Sequence, residues 1–166
     1  MHLDGYMDVC DAVLSRRELA TRQRILKDSH CGAFAVIGMV LLALCQWSVF
    51  LSGSADESLW GLLLIPVATR ACAGLAVLKL RPMGTSQYAA MGRHGGYAAA
   101  LAVLLAAAIA VPLVTDRSFA PLAAAAGYGL AVWYGFRQLD GMNGDISGFA
   151  LTLGELAGAA VWTLVR

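Results

Sequence analysis

Five stretches of this chain carry almost no charge, and they set its architecture before any single residue is considered. They run Ala33 to Leu51, Leu59 to Leu78, Tyr97 to Val114, Phe119 to Phe136 and Ile146 to Leu164. Each has close to the roughly twenty apolar residues that a helix needs to cross the hydrocarbon core of a bilayer. A helix that is apolar all round, rather than along one stripe, is buried in protein or in lipid. Small residues recur in these runs (Gly61, Gly74, the Ala98 to Ala110 segment, Gly127, Gly129, Gly154, Gly158), which predicts close helix–helix contact. Pro66 and Pro112 also fall inside the runs, where neighbouring helices can compensate the lost backbone bond. The predicted fold class is all-α: a polytopic transmembrane helix bundle of about five spans. It forms a single membrane domain, residues 1–166, with 1–32 as a cytoplasmic acidic motif and short amphipathic helical segment and 33–166 as the spans.

The polar segments between the runs orient the bundle. Counted in alternate segments, nine Lys and Arg residues fall on one side and two on the other. The richer side, headed by Arg16, Arg17, Arg22, Arg24 and Lys27, is expected to face the cytoplasm. That places the chain in the cytoplasmic membrane with its N-terminus inside and its C-terminus outside. Every unusual polar pattern then falls on the cytoplasmic face, while the outer loops are short and bland.

Composition agrees and excludes several classes. Of 166 residues, 59% are hydrophobic and only 14% charged, against about a quarter charged in ordinary soluble domains. A net charge of +1 gives no global basic field for nucleic acid. The four cysteines, Cys10, Cys31, Cys45 and Cys72, have neither CxxC spacing nor matching histidines, so neither a zinc site nor a disulfide framework is indicated. Met1 to Asp11 is acidic rather than basic and then apolar, so no secretory leader is expected.

Four constellations could carry chemistry. The first is Asp4, Asp8 and Asp11. On a helix, positions i, i+4 and i+7 fall within about 60° of one another, so the three carboxylates form one stripe. A solvated helix start tolerates one or two aspartates; three with no alternating cation suit a hard divalent ion such as Mg²⁺ or Mn²⁺. The second is Ser15 to Ser29, an apolar and basic segment that reads as an interfacial helix. It exits through Lys27, Asp28, Ser29 and His30 beside Gly32, where a lysine and an aspartate could hold a phosphate and its metal.

The third is intramembrane charge. Arg70 and Glu155 each lie roughly 12–14 Å below the cytoplasmic end of their spans at 1.5 Å per residue. Facing lipid, each would cost about 2.5–3.5 kcal/mol or more. Equal depth and opposite sign predict a mutual ion pair, with a phosphate contact from Arg70 and metal ligation by Glu155 as the functional alternative. The fourth is a pair of Gly-containing loops, Arg81 to Ser86 and Asp140 to Asp145, whose amides could cradle phosphate. Ordinary turns look similar, and Asp145 could simply cap the helix that follows.

Together these residues resemble the cobalamin synthase family, also called adenosylcobinamide-GDP ribazoletransferase. His2, Asp4, Asp8 and Asp11 match its H-x-D-G-x-x-D-x-x-D stretch. Lys27, Asp28, Ser29, Gly32 and Phe34 match K-D-S/P-x-x-G-x-F before a hydrophobic span. Looser matches are Pro66 with Arg70, and Gly144 with Asp145 followed by Glu155. The family carries further hydrophobic sequence upstream of the acidic motif, so the expectation is a chain that lacks the usual N-terminal part. It also differs in having Asn143 where Thr is usual and Thr152 where many members are acidic.

The resemblance implies an Mg²⁺-dependent transferase that joins adenosylcobinamide-GDP to α-ribazole, or its 5′-phosphate, with release of GMP. It implies metal ligation by Asp4, Asp8, Asp11 and Glu155, and catalytic positions at Lys27, Asp28, Arg70 and Asp145. Substrate-binding positions are His2, Ser29, Gly84, Thr85, Ser86, Asn143 and Gly144. The partners implied are the two substrates and the lipid bilayer, with a homo-oligomer open and no nucleic acid. A CDP-alcohol phosphotransferase is the nearest rival, but its pattern needs Ala-Arg after D-G and a D-x-x-x-D ending. A transporter or scaffold subunit, or a non-catalytic remnant, is the alternative outside enzymes.

Overall fold

A computed structural model describes residues 2–53, 59–84 and 95–164, and over these the apolar runs become helices. Seven are present among the described residues: α1 (His2–Leu14), α2 (Leu19–Ile25), α3 (Ala33–Leu51), α4 (Leu59–Lys79), α5 (Gly95–Thr115), α6 (Ala120–Leu139) and α7 (Gly144–Leu164). Each predicted span coincides with one of α3 to α7. Four of these, α3, α4, α5 and α7, are long and apolar enough to cross a membrane. The fifth, α6, has the length, but Tyr128, Tyr134, Arg137 and Gln138 lower its apolarity. The chain is a membrane-embedded helix bundle.

At the centre lies α7, packed on α6, α1, α4 and α3. Its apolar window is 61% buried, against 11% for α5, which leans chiefly on α4. Close approach needs small residues where backbones meet. A Cβ at Gly154 would stand 2.8 Å from the Ala124 carbonyl oxygen of α6, so only glycine lets α6 and α7 come this near. The outward faces carry large apolar side chains, including Leu44 and Trp47 on α3, Val103 on α5 and Leu130 on α6. In water this surface would be a liability; in lipid it is the expected exterior.

The acidic motif sits on a helix packed into the bundle, because α1 buries Tyr6, Val9, Cys10, Ala12 and Val13 against α3 and α7. Tyr6 stacks on Phe149 with ring centroids 5.7 Å apart and donates its hydroxyl to the Gly38 carbonyl at 3.1 Å. The interfacial helix expected over Ser15 to Ser29 shrinks to the two turns of α2. Arg16 adopts the left-handed conformation (φ 52°) just beyond α1, and its N–H bonds the Val13 carbonyl at 3.2 Å. This is a helix-ending device, and α2 starts afresh after it.

The two Gly-containing loops meet. Met83 N–H donates to the Met142 carbonyl at 2.8 Å, and Met142 N–H to the Arg81 carbonyl at 2.9 Å, forming an isolated parallel bridge. Arg81 also pairs with the Asp140 carboxylate. Gly141 (φ 155°) makes the approach possible, since a Cβ there would lie 2.7 Å from Met83 Cα.

Candidate functional site

Asp145 stands beside the acidic helix because Gly5 has no side chain. A Cβ on Gly5 would fall 2.8 Å from both the Cα and the carbonyl oxygen of Asp145, so the two backbones touch. Gly148, one turn further along α7, receives the His2 backbone in the same way. The crossing therefore brings the first turn of α7 against Asp4 and Asp8. Asp8 registers the result: burial first, then the charges of Asp4, Asp145 and Asp11, push its carboxyl up to about 6. Among the described residues, none of Asp4, Asp8 and Asp145 forms an ion pair.

Asn143 sets the orientation of Asp145. Its side-chain oxygen accepts the Ile146 N–H at 3.0 Å, so Asn143, rather than Asp145, caps α7. Thr and Asn are both good caps, so Asn143 can cap α7 as well as the Thr that the resemblance leads one to expect. The Asn143 amide also donates to Asp145 Oδ2 at 2.7 Å, holding that carboxylate beside the patch.

Asp11 has a structural task. Its two oxygens accept N–H groups from Gly32 (2.6 Å) and Ala35 (2.8 Å), the otherwise unmet donors at the start of α3. An ionised carboxylate has about four acceptor sites, so capping does not exhaust it, but Asp11 is no longer simply the third member of a free stripe. Asp11→Ala is expected to cost about 1–2 kcal/mol. Thermal unfolding, with amide exchange at 32–35, checks this.

Glu155 does not join the aspartates. Ten residues along α7 from Asp145, it is about 15 Å away at 1.5 Å per residue. It pairs instead with Arg70 and accepts from Thr69 Oγ1 at 3.4 Å. The mutual ion pair is the arrangement the structure adopts, and it engages Arg70 and Glu155 with each other rather than with the aspartate patch. Removing one partner strands the other charge. Arg70→Leu/Glu155→Leu is therefore expected to unfold at a higher temperature than either single variant, in a comparison of all four chains in detergent.

Other predicted positions are scattered around the same end. Lys27 and Ser29 are exposed. Asp28 accepts the His30 backbone N–H at 3.0 Å and contacts its ring Nδ1 at 2.6 Å; these bonds hold its carboxyl below the usual range. His2, Gly84 and Gly144 are exposed, whereas Thr85 and Ser86 lie outside the described residues. Thr152 is buried and donates to the Gly148 carbonyl of its own helix at 2.9 Å.

Asp4, Asp8 and Asp145 offer only hard oxygen donors, which fits Mg²⁺ better than a softer metal. A bound cation would relieve the burial and mutual repulsion at Asp8, so the donor set and its electrostatics are compatible with one. Among the described residues, no three His, Cys, Asp or Glu side chains already stand at metal-ligand geometry.

The fold and patch define a class: a polytopic helical membrane protein with a carboxylate cluster where α1 crosses the start of α7. Comparison with known proteins gives the family. Residues 1–163 match the sequence profile of cobalamin-5-phosphate synthase, and the chain belongs to that family. It is 36% identical over 165 residues to the adenosylcobinamide-GDP ribazoletransferase of Clostridium perfringens (strain 13 / Type A), covering 95% of this chain and 66% of that protein. To the protein of the same name from Geobacillus kaustophilus it is 32% identical over 179 residues, 99% of this chain and 67% of the relative. With the Halalkalibacterium halodurans protein identity reaches 49% over 75 residues, 42% of this chain and 28% of that protein. The chain thus spans about two thirds of the length of the Clostridium perfringens and Geobacillus kaustophilus proteins. No solved structure gives a significant match.

Proposed function

We propose that this chain joins adenosylcobinamide-GDP to α-ribazole, or α-ribazole 5′-phosphate, at the inner face of the cytoplasmic membrane. Family membership and the name its relatives carry support the reaction; the nine-to-two charge bias supports the orientation. The observation that carries the site is the Gly5–Asp145 contact, which gathers acids from two ends of the chain. Displacement at phosphorus depends mainly on positioning and charge neutralisation. Asp4 and Asp8 would hold Mg²⁺, with Asp11 beside them, and the ion would supply charge neutralisation on the diphosphate.

The residues of the chain do the rest. Asn143 steadies Asp145 through Oδ2, leaving Oδ1 to orient a ribose hydroxyl and accept its proton. A new P–O bond forms from that hydroxyl to the cobinamide-bearing phosphate as the bond to GMP breaks, and the proton leaves by way of Asp145. Lys27, exposed at the end of α2, supplies positive charge for the departing GMP. The α1–α7 crossing fixes the relative position of the acids throughout.

Membranes holding the full chain are expected to release GMP only when both substrates are present. EDTA should stop release and Mg²⁺ restore it. Folded chain that releases none, with both substrates and Mg²⁺ supplied, would remove the transferase reading.

A further inference from the structure

The linker after α1 and the helix α2 form an open hollow of about 670 Å³ lined by Arg16, Arg17, Glu18, Thr21, Arg24 and Ile25. Three arginines line one space, with Glu18 as the one acid among the described lining residues. Topological anchoring needs positive charge near the membrane surface, but it does not need three arginines around one hollow. The left-handed backbone at Arg16 turns the chain between the helices, so that Arg16 and Arg17 come to share this space with Arg24. Glu18 is partly occupied, accepting Thr21 Oγ1 at 3.4 Å.

The hollow is also held in place. Gln23 donates to the Leu139 carbonyl at 2.8 Å and Arg22 to the Gln138 side chain. Those contacts moor α2 to the end of α6, just before the turn into α7. Arginine forks match phosphate oxygens bidentately, and a hollow with three arginines against one glutamate in its lining favours anions.

We propose that the hollow of Arg16, Arg17 and Arg24 binds a phosphate-bearing anion, either the headgroup of an anionic phospholipid or a soluble diphosphate. It is separate from the carboxylate patch, and its test uses neither ribazole nor cobinamide, so it stands or falls apart from the transferase reading. In one arm, the full chain in phosphatidylcholine nanodiscs is titrated with inorganic pyrophosphate. In the other, native mass spectrometry compares retention of phosphatidylglycerol with that of phosphatidylcholine.

Arg16→Gln/Arg17→Gln/Arg24→Gln is expected to weaken binding at least fivefold in one arm. Lys79→Gln/Arg117→Gln/Arg137→Gln removes as much charge elsewhere and should stay within twofold of the native chain. Loss in the pyrophosphate arm assigns a soluble ligand; loss in the lipid arm assigns a headgroup. If the triple variant loses its helical circular dichroism, Arg24→Gln replaces it, with at least a twofold loss expected. No binding by the native chain in either arm, or an equal fall in the charge-matched control, overturns the proposal.

Discussion

Asp8→Asn is expected to lower GMP release by about 10²–10³-fold, the usual size of losing one group that acts on developing charge. The same change should make the metal-free protein more stable. A carboxyl raised from 3.8 to about 6 in the folded chain holds its proton more tightly there than in the unfolded chain. Stability therefore falls as pH climbs from about 4 to 6, because the native state is the one that keeps the proton. Asparagine carries no such penalty. Its advantage in thermal midpoint should be full above pH 6 and fade as pH drops toward 4. Native activity should follow the opposite trend, rising through pH 6 as Asp8 ionises and can take a cation. Measuring midpoint and GMP release on the same preparations separates these effects. A variant that keeps activity but gains stability would mean that Asp8 is only an electrostatic burden.

The second large effect is expected at Gly5. Gly5→Ala places a methyl group 2.8 Å from backbone atoms of Asp145, and backbone cannot swing aside as a long side chain can. The helices must part at this crossing, at a cost of about 1–3 kcal/mol. Parting them also separates Asp4 and Asp8 from Asp145, so activity should fall at least tenfold even where the chain remains folded. Gly129→Ala serves as the control, because a Cβ there meets nothing within 4 Å. Thermal midpoints and GMP release for the two variants test the claim; equal behaviour would show that the crossing tolerates a methyl group and that the D-G pair has another purpose.

The bundle was legible in the sequence because lipid imposes one simple demand on a spanning segment, and α3 to α7 satisfy it nearly residue for residue. The Arg70–Glu155 pair was legible for a related reason: depth and sign are both readable from position along a span. The less apolar α6 shows the limit, since Tyr128 is buried in the bundle and Gln138 meets Arg22 of α2, partners that a hydropathy window cannot assign.

The candidate site was only half legible. Spacing placed Asp4, Asp8 and Asp11 on one stripe, but spacing cannot tell which carboxylate is engaged elsewhere. Asp11 meets amides 21 and 24 residues away, and only the bare Gly32 at the start of α3, with no cap of its own, hinted that another residue must serve. Asp145 read equally well as a helix cap until Asn143 was found in that place. The small-x₃-small pair Gly144 and Gly148 was the available sign that another helix crosses there, and Gly5 in the D-G pair was its complement. Neither signal specifies its partner, because a contact across 140 residues leaves no local pattern.

The central place of α7 carries a consequence for how this sequence can change over time. A helix touched by four others has few positions where a new side chain finds room. By contrast α5, resting mainly on one neighbour, asks little beyond an apolar character. Drift among descendants should therefore accumulate on α5 as free exchange among Ala, Val, Leu and Ile, while α7 stays nearly fixed, even at residues far from any chemistry.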